Sequence, residues 1–300
     1  MAIDTSWANV SLLCPFSDDL QDVKGHTVTA VGGAALSSAV GTPFGAGNAL
    51  FLDGVNDYTY LADSSDWHVS NGDFTVEVWV RFVAHTATGV FISQRDGSTT
   101  NHSFSFYWDT SLGIVFQYTV DGTTVVSVNR AWTPTNGVWY FVSVERAGTA
   151  LRIKVDGSQL GADYTIGTAT IFNSTAPLRI GATNSTPLAF FSGYVGPIRL
   201  TKAARTITAA PTAPFPRPTI SGIVRDSGAA YVAKVVKAFK RSTMLLAGES
   251  VSNGGTGAYT IYPSDFTEHV VIEFDTATTP LVDGGPGENA LIYDRVIPGG

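Results

Sequence analysis

GDFTVEVWVRF, from Gly72 to Phe82, alternates apolar with larger or polar side chains along most of its length. Successive side chains of a strand point to opposite faces, so Phe74, Val76, Val78, Val80 and Phe82 share one side. Thr75, Glu77, Trp79 and Arg81 share the other. The first set is a core face. The second sets a carboxylate, an indole and a guanidinium in a row, groups that suit sugar cleavage, surface recognition, or the packed back of a sheet.

Outward from this stretch the pattern repeats. ALFLDG, DYTYLA, GVFISQ, SFSFYW, GIVFQYTV, TTVVSV, VWYFVSVER, ALRIKVDG, APLRIGA and GYVGPIRLT are short alternating runs separated by turn residues such as DGVND, DGTT, RAGT and DGSQ. Many short strands at close spacing without intervening helices predict an antiparallel sandwich or jelly roll. Helical turns are expected only in DSSDWHVS (63–70) and KAARTIT (202–208). APTAPFPRP, Ala210 to Pro218, holds four prolines in nine residues and reads as an extended linker. It separates a first domain, 1–209, from a second, 219–300. In the second, SGIVRD, YVAKVVKAFK, MLLAGESV, GAYTIYP, EHVVIEFD and NALIYDRVI predict a smaller β-sandwich, with GGTGAY as a tight hairpin. In YVAKVVKAFK, Val232, Val235 and Phe239 are apolar while Lys234, Lys237 and Lys240 recur at three-residue steps. That pattern is read as a solvated edge strand whose lysines discourage pairing.

The 300 residues carry a net charge of −7, and only 14% are charged, against roughly 25% in ordinary soluble domains. No basic surface for nucleic acid is expected. No apolar run approaches the length of a membrane span. MAIDTSWANVS shows neither the basic nor the apolar part of a secretory signal, so none is expected. Cys14, the single cysteine, sits in the apolar run SLLCPF and is expected to be a buried small hydrophobe.

Several stretches together resemble laminin-G-like domains of the concanavalin-A-like lectin/glucanase fold. They are SLLCPFSDDLQDVKGHTVTAVGGAAL (11–36), ALFLDGVNDYTYL (49–61), GDFTVEVWVRF, GVWYFVSVERAGTALRIKVDGSQLG (137–161), APLRIGA (176–182), FFSGYVGPIRLTKAARTIT (190–208) and TAPFP (212–216). The form carried by bacteriophage virion proteins looks most similar. The tail resembles the carboxypeptidase-regulatory-like β-sandwich. The resemblance implies an all-β chain, a concanavalin-A-like antiparallel jelly-roll sandwich followed by the smaller one. It also implies a virion structural protein, tail- or fibre-associated or a head decoration protein, assembled in the host bacterial cytoplasm. Its partners would be other virion proteins and further copies of itself. The alternative is a carbohydrate-binding adhesin module that recognises bacterial surface polysaccharide.

Catalysis is not expected. Glucanases of this fold need paired carboxylates, and Arg81 stands where a partner for Glu77 would be required. Glu145 and Asp156 form no pair in their strands, and His26, His68, His85, His102 and His269 are scattered. For surface or glycan binding the candidates are Trp79, Tyr107, Trp132 and Trp67, with Glu77 and Arg81 beside them. By alternation Tyr107 faces away from Phe104, Phe106 and Trp108. The family often holds one Ca²⁺ through loop oxygens, and Asp53, Asn56 and Asp57 are the residues here that could do so. The same residues are common turn formers. Where relatives carry an acidic pair near the end of the domain, this chain reads Gly196-Pro197, which removes two oxygen donors.

Overall fold

The computed structural model describes residues 5–97, 100–183, 189–223, 235–263, 269–274, 292–296 and 298. The chain divides into two compact units, Asn9–Phe215 and Met1–Ala8 with Pro216–Gly300. No helix among the described residues is long and apolar enough to cross a membrane.

The larger unit is an antiparallel sandwich of a nine-stranded and a seven-stranded sheet. In the nine-stranded sheet Phe74–Phe82 lies between Trp139–Ala147 and Ser192–Thr201. The far edge of Ser192–Thr201 is shared by Ala49–Asp53 and Val10–Cys14. The seven-stranded sheet runs Val126–Arg130, Gly113–Tyr118, His102–Asp109, Gly89–Arg95, Leu178–Ile180, Tyr58–Leu61 and Thr29–Val31. The alternation of Phe74–Phe82 holds: its five apolar residues all enter the core between the sheets. Phe74 meets Phe116 at 5.7 Å and Phe82 meets Phe91 at 6.1 Å across the sandwich. Cys14 is fully buried in its strand, and burial pushes its thiol up.

The other side of Phe74–Phe82 is covered. Residues 202–215 form no helix where 202–208 led us to expect one; they cross the outer face of the nine-stranded sheet as an extended strap. The reason lies in what they bind. Thr75 Oγ1 donates to the Ala203 carbonyl (2.8 Å) and accepts the Arg205 N–H (3.0 Å). Lys154 Nζ donates to the Ile207 carbonyl at 2.8 Å, and Phe215 packs on Phe141. These bonds run to the sheet rather than along the segment, so a helix would forfeit them. At 63–70 a single 3₁₀ turn, Ser65–Trp67, does form, capped by the Ser64 side chain.

The strap passes over the Asp156-Gly157 turn, where both residues have positive φ (50° and 81°), as a two-residue hairpin loop requires. A Cβ on Gly157 would lie 2.2 Å from the Ala209 nitrogen. Gly157→Ala is therefore expected to destabilise the unit by about 1–3 kcal/mol, through strain and clash together. It should also expose Lys202 and Arg205 to trypsin earlier than in the parent. Unchanged melting and unchanged cleavage order would show that the strap is not seated on this turn.

In the smaller unit Ile220–Ile223 pairs with Ala258–Ile261, and a four-stranded sheet runs Leu246–Val251, Val235–Lys240, His269–Phe274, Ile292–Val296. Ile220, Val236, Ala238, Ile261 and Val271 form its core. Two expectations are corrected. Val235–Lys240 is an interior strand, and the two-residue period puts Lys237 on the same side as Val235 and Phe239, with Val236 and Ala238 facing the core. Val232 and Lys234 lie outside the described residues. GGTGAY is a turn closed by Asn253 and Gly257, but it links strands of different sheets rather than hairpin partners.

Candidate functional site

Most of the residues singled out in the sequence turn out to be structural. Glu77 is 1% exposed: Arg205 Nη1 grips both its oxygens at 2.6 and 2.9 Å, and Arg199 Nε stands 3.7 Å away. Trp79, at 7% exposure, is boxed between Phe44 and Phe141. Opposite it the neighbouring strand bulges between Val195 and Ile198. This explains Gly196-Pro197. A Cβ at 196 would lie 2.9 Å from that of Trp79, and a bulge is where an interior strand tolerates the missing N–H of proline. Arg81 donates to the Gly137 carbonyl and lies over the Tyr194 ring. Trp132 packs on the core against Phe82 and Tyr140, and Trp67 is completely buried. The strap covers Glu77 and the 41–47 turn packs on Trp79, two positions that alternation alone left facing solvent, while Arg81 stays part exposed.

Asp53, Asn56 and Asp57 do come together, as a turn. Asp57 accepts the N–H groups of Gly33 and Asp53, and Asp53 Oδ1 accepts those of Val55 and Asn56. Those backbone bonds, Val55 foremost, hold the Asp53 carboxyl below its usual range. Three of the four carboxylate oxygens thus already accept backbone N–H groups, which holds the turn by its own bonds.

Tyr107 is different. It is half-buried on the outer face of the seven-stranded sheet, with Phe104, Phe106 and Trp108 in the core behind it. The strand register aligns one outward residue from every strand: Thr29, Tyr60, Arg179, Ser93, Ser105, Gln117 and Ser127. Tyr107 stands in the next row, between Val90 and Val115. Ser93 and Ser105 share a hydrogen bond of 2.9 Å, and Gln117 Nε2 donates to Ser127 Oγ at 3.0 Å. Over this floor lies an open groove of about 190 Å³, floored by Ser105 and Gln117, with Tyr107, Arg95 and Asp109 around it and Thr88, Thr183 and Ala189 at its rim. Burial, and secondarily Asp109, pushes the Tyr107 hydroxyl up to about 12, so it remains a neutral donor. The volume is small for an enclosed ligand site.

At one end, a bulge shifts the register from Gln94–Phe104 to Arg95–His102 and brings His102 beside Arg95. His102 is buried, its Nε2 is 3.4 Å from Ser105 Oγ, and desolvation, then Arg95, pulls its pKa down to about 4. An unfolded histidine titrates near 6.5, so between these values the unfolded chain binds the extra proton. Stability should be unaffected by this group above pH ~6.5. It should fall as pH drops toward about 4, by up to about 3 kcal/mol. Denaturant titrations at pH 7 and 4.5 should show a smaller difference in His102→Gln than in the parent; equal differences would exclude the effect.

Of these groove residues only Tyr107 was legible in the sequence. Strand alternation marks Ser105 and Gln117 as outward, but nothing in the sequence says that Tyr60, Arg179 and Ser105 share a row, because register between distant strands is a tertiary property.

A laminin-G-type family model of the concanavalin A-like lectin/glucanases superfamily matches residues 53–208, which contain the groove. The chain belongs to this superfamily. No curated protein matches it. Solved members of the fold superpose on it. Domain 4 of a GH43 extracellular arabinanase from Geobacillus stearothermophilus, in complex with arabinotriose, does so with a TM-score of 0.51 at 18% identity, covering 67% of this chain and 97% of that one. The binding domain of botulinum neurotoxin DC in complex with SialylT gives 0.53 at 13%, covering 98% and 70%. A structure of botulinum neurotoxin type C, whose cell entry depends on two ganglioside molecules, gives 0.51 at 10%, covering 89% and 66%. At these identities the likeness is one of fold.

Proposed function

We propose that this superfamily member is a non-catalytic carbohydrate-binding module that holds a polysaccharide chain across the outer face of its seven-stranded sheet. The observation that carries the reading is the groove itself. Tyr107 offers a ring beside a row of hydroxyl and amide groups, and sugars present both apolar faces and hydrogen-bonding edges. The sugar ligands in the arabinanase-domain and neurotoxin structures support it. The carboxylate that catalysis would recruit from Phe74–Phe82, Glu77, is committed to Arg205 and Arg199.

Tyr107→Ala is expected to weaken binding of the best ligand on a glycan array about tenfold or more, with an unchanged melting curve. Retained affinity would remove the groove from the reading. Binding should survive a chelator, since the Asp53–Asp57 turn is held by its own backbone bonds. Loss of binding in chelator, restored by Ca²⁺, would reverse that.

The finer reading is a component of a bacteriophage particle, with other virion proteins and copies of itself as partners and a host surface glycan as target. It rests on the likeness of the first domain to those of phage virion proteins; the carboxypeptidase-regulatory-like character of the tail rests on the tail's own likeness to that family. In it the larger unit presents the groove and the smaller one docks to the particle. Its test is co-purification: the chain should band with intact particles on a density gradient and be released as a free protein only on disassembly.

A further inference from the structure

A second cavity adjoins the groove, an open cleft of about 150 Å³ at one end of the larger unit. Phe82 and Phe191, both buried, line its inner side, and half-buried Phe190 adds an aromatic wall. Asp53, Ser192 and Thr86 supply its polar groups. Asp53 and Ser192 stand opposite each other in the strand register, so their side chains share a face. Gly54 lets the turn close onto that pair: its φ is 81°, and a Cβ there would lie 2.7 Å from the Ser192 Cβ.

Two segments form the wall between cleft and groove. Thr88 and Ala189 line the groove, while their chain neighbours Ala87, Gly89 and Phe190 line the cleft. The Val90 N–H donates to the Ala189 carbonyl at 3.1 Å and ties the segments together. Gly89 permits the close fit, since a Cβ there would lie 3.0 Å from Phe191 Cδ2. Tyr107 pairs with Val90 from the other side. Ala189 is thus two strand spacings, about 10 Å, from Tyr107, and Phe190 follows it in the chain.

We infer that the cleft is a second subsite for the polysaccharide held in the groove: the ligand crosses the Thr88–Ala189 wall and lays an uncharged sugar against Phe190, with Asp53, Ser192 and Thr86 at its hydroxyls. This rests on the groove being the binding site. The chemistry repeats that of the groove, an aromatic ring beside groups that bond hydroxyls. Asp53 Oδ1 is held by the N–H groups of Val55 and Asn56, so the carboxylate is fixed in place, and a carboxylate only accepts. Its partners are therefore donors, the hydroxyls of a sugar and not ionised acids. Each cavity alone falls below the roughly 300–1,000 Å³ of an enclosing site. Together they engage one chain at two points, and the second contact is then intramolecular.

The full chain would be titrated with size-graded fragments of arabinan, β-glucan and dextran, and of the polysaccharide that binds best on a glycan array. Affinity is expected to rise about tenfold or more once a fragment spans the roughly 10 Å from Tyr107 to the wall. Phe190→Ala should remove most of that gain and leave the shortest binding fragments unchanged, whereas Tyr107→Ala should weaken every length. Melting curves establish that the variants are folded; if Phe190→Ala is not, Phe190→Leu keeps most of the volume and loses the flat ring. Affinity independent of length, or a gain that persists without the Phe190 ring, would overturn the subsite and leave the groove reading standing. If no glycan of any class binds the folded protein, or Tyr107→Ala changes nothing at any length, the groove reading itself falls.

Discussion

Glu77→Gln is expected to lower the unfolding midpoint of the larger unit by roughly 6–20 °C. The carboxylate lies beneath the strap, held by Arg205 at 2.6 Å with Arg199, fully buried, behind it. Removing one member of a buried ion pair leaves its partner's charge uncompensated, which costs about 3–5 kcal/mol. At about 2–4 °C per kcal/mol for a unit of this size, that gives the range above. The amide keeps the shape and some hydrogen bonding, so the loss reports charge rather than packing. A double-mutant cycle with Arg205→Gln isolates the pair: the two single losses should exceed the double loss by about 0.5–3 kcal/mol. Additive losses in thermal melts would show that the pair does not hold the strap.

Phe82→Ala, from the opposite face of the same strand, should cost a similar amount for a different reason. Phe82 touches Phe91, Trp108, Trp132 and Phe191, with ring centroids from 5.0 to 6.2 Å. These neighbours come from two strands and two loop segments, so none can collapse into the gap without moving the others. Truncations of this kind cost about 3–5 kcal/mol, the transfer energy plus the unfilled cavity. Phe82→Leu, which fills most of the volume, should recover more than half of that in chemical denaturation. If Leu were as damaging as Ala, the effect would lie in aromatic geometry rather than volume. The pair of substitutions makes one strand report on two energies, apolar burial inward and charge pairing outward.

The strap and the groove divide what could be read in advance from what could not. Alternation in Phe74–Phe82 and SFSFYW placed every inward ring correctly, because a two-residue period is a property of the strand alone. It placed Tyr107 outward for the same reason. It also marked Trp79 and Glu77 as outward, which they are, and suggested exposure, which they lack. Outward on a sheet means solvent only if no other segment lies there. Residues 202–215 mix Ala and Thr with two prolines and single Lys, Arg, Ile and Phe, which suggests an extended course but no pattern that announces the face they cover. The same limit applied to Lys237: the three-residue spacing of the lysines suggested a distinct face, but the two-residue period and an interior position set its neighbours.

The inward faces, the turns and the all-β class follow from neighbouring residues alone, since period, turn residues and composition act over a few positions. Which strands lie side by side, and so which residues share a row, emerges only when the chain folds. So does the covering of one sheet face by the strap while the other keeps an open groove. Each depends on groups brought together from distant parts of the chain: Glu77 with Arg205, and Arg95 with Arg179. Their spacing along the sequence carries no trace of the contact, because the energy that selects it exists only once both sheets are formed.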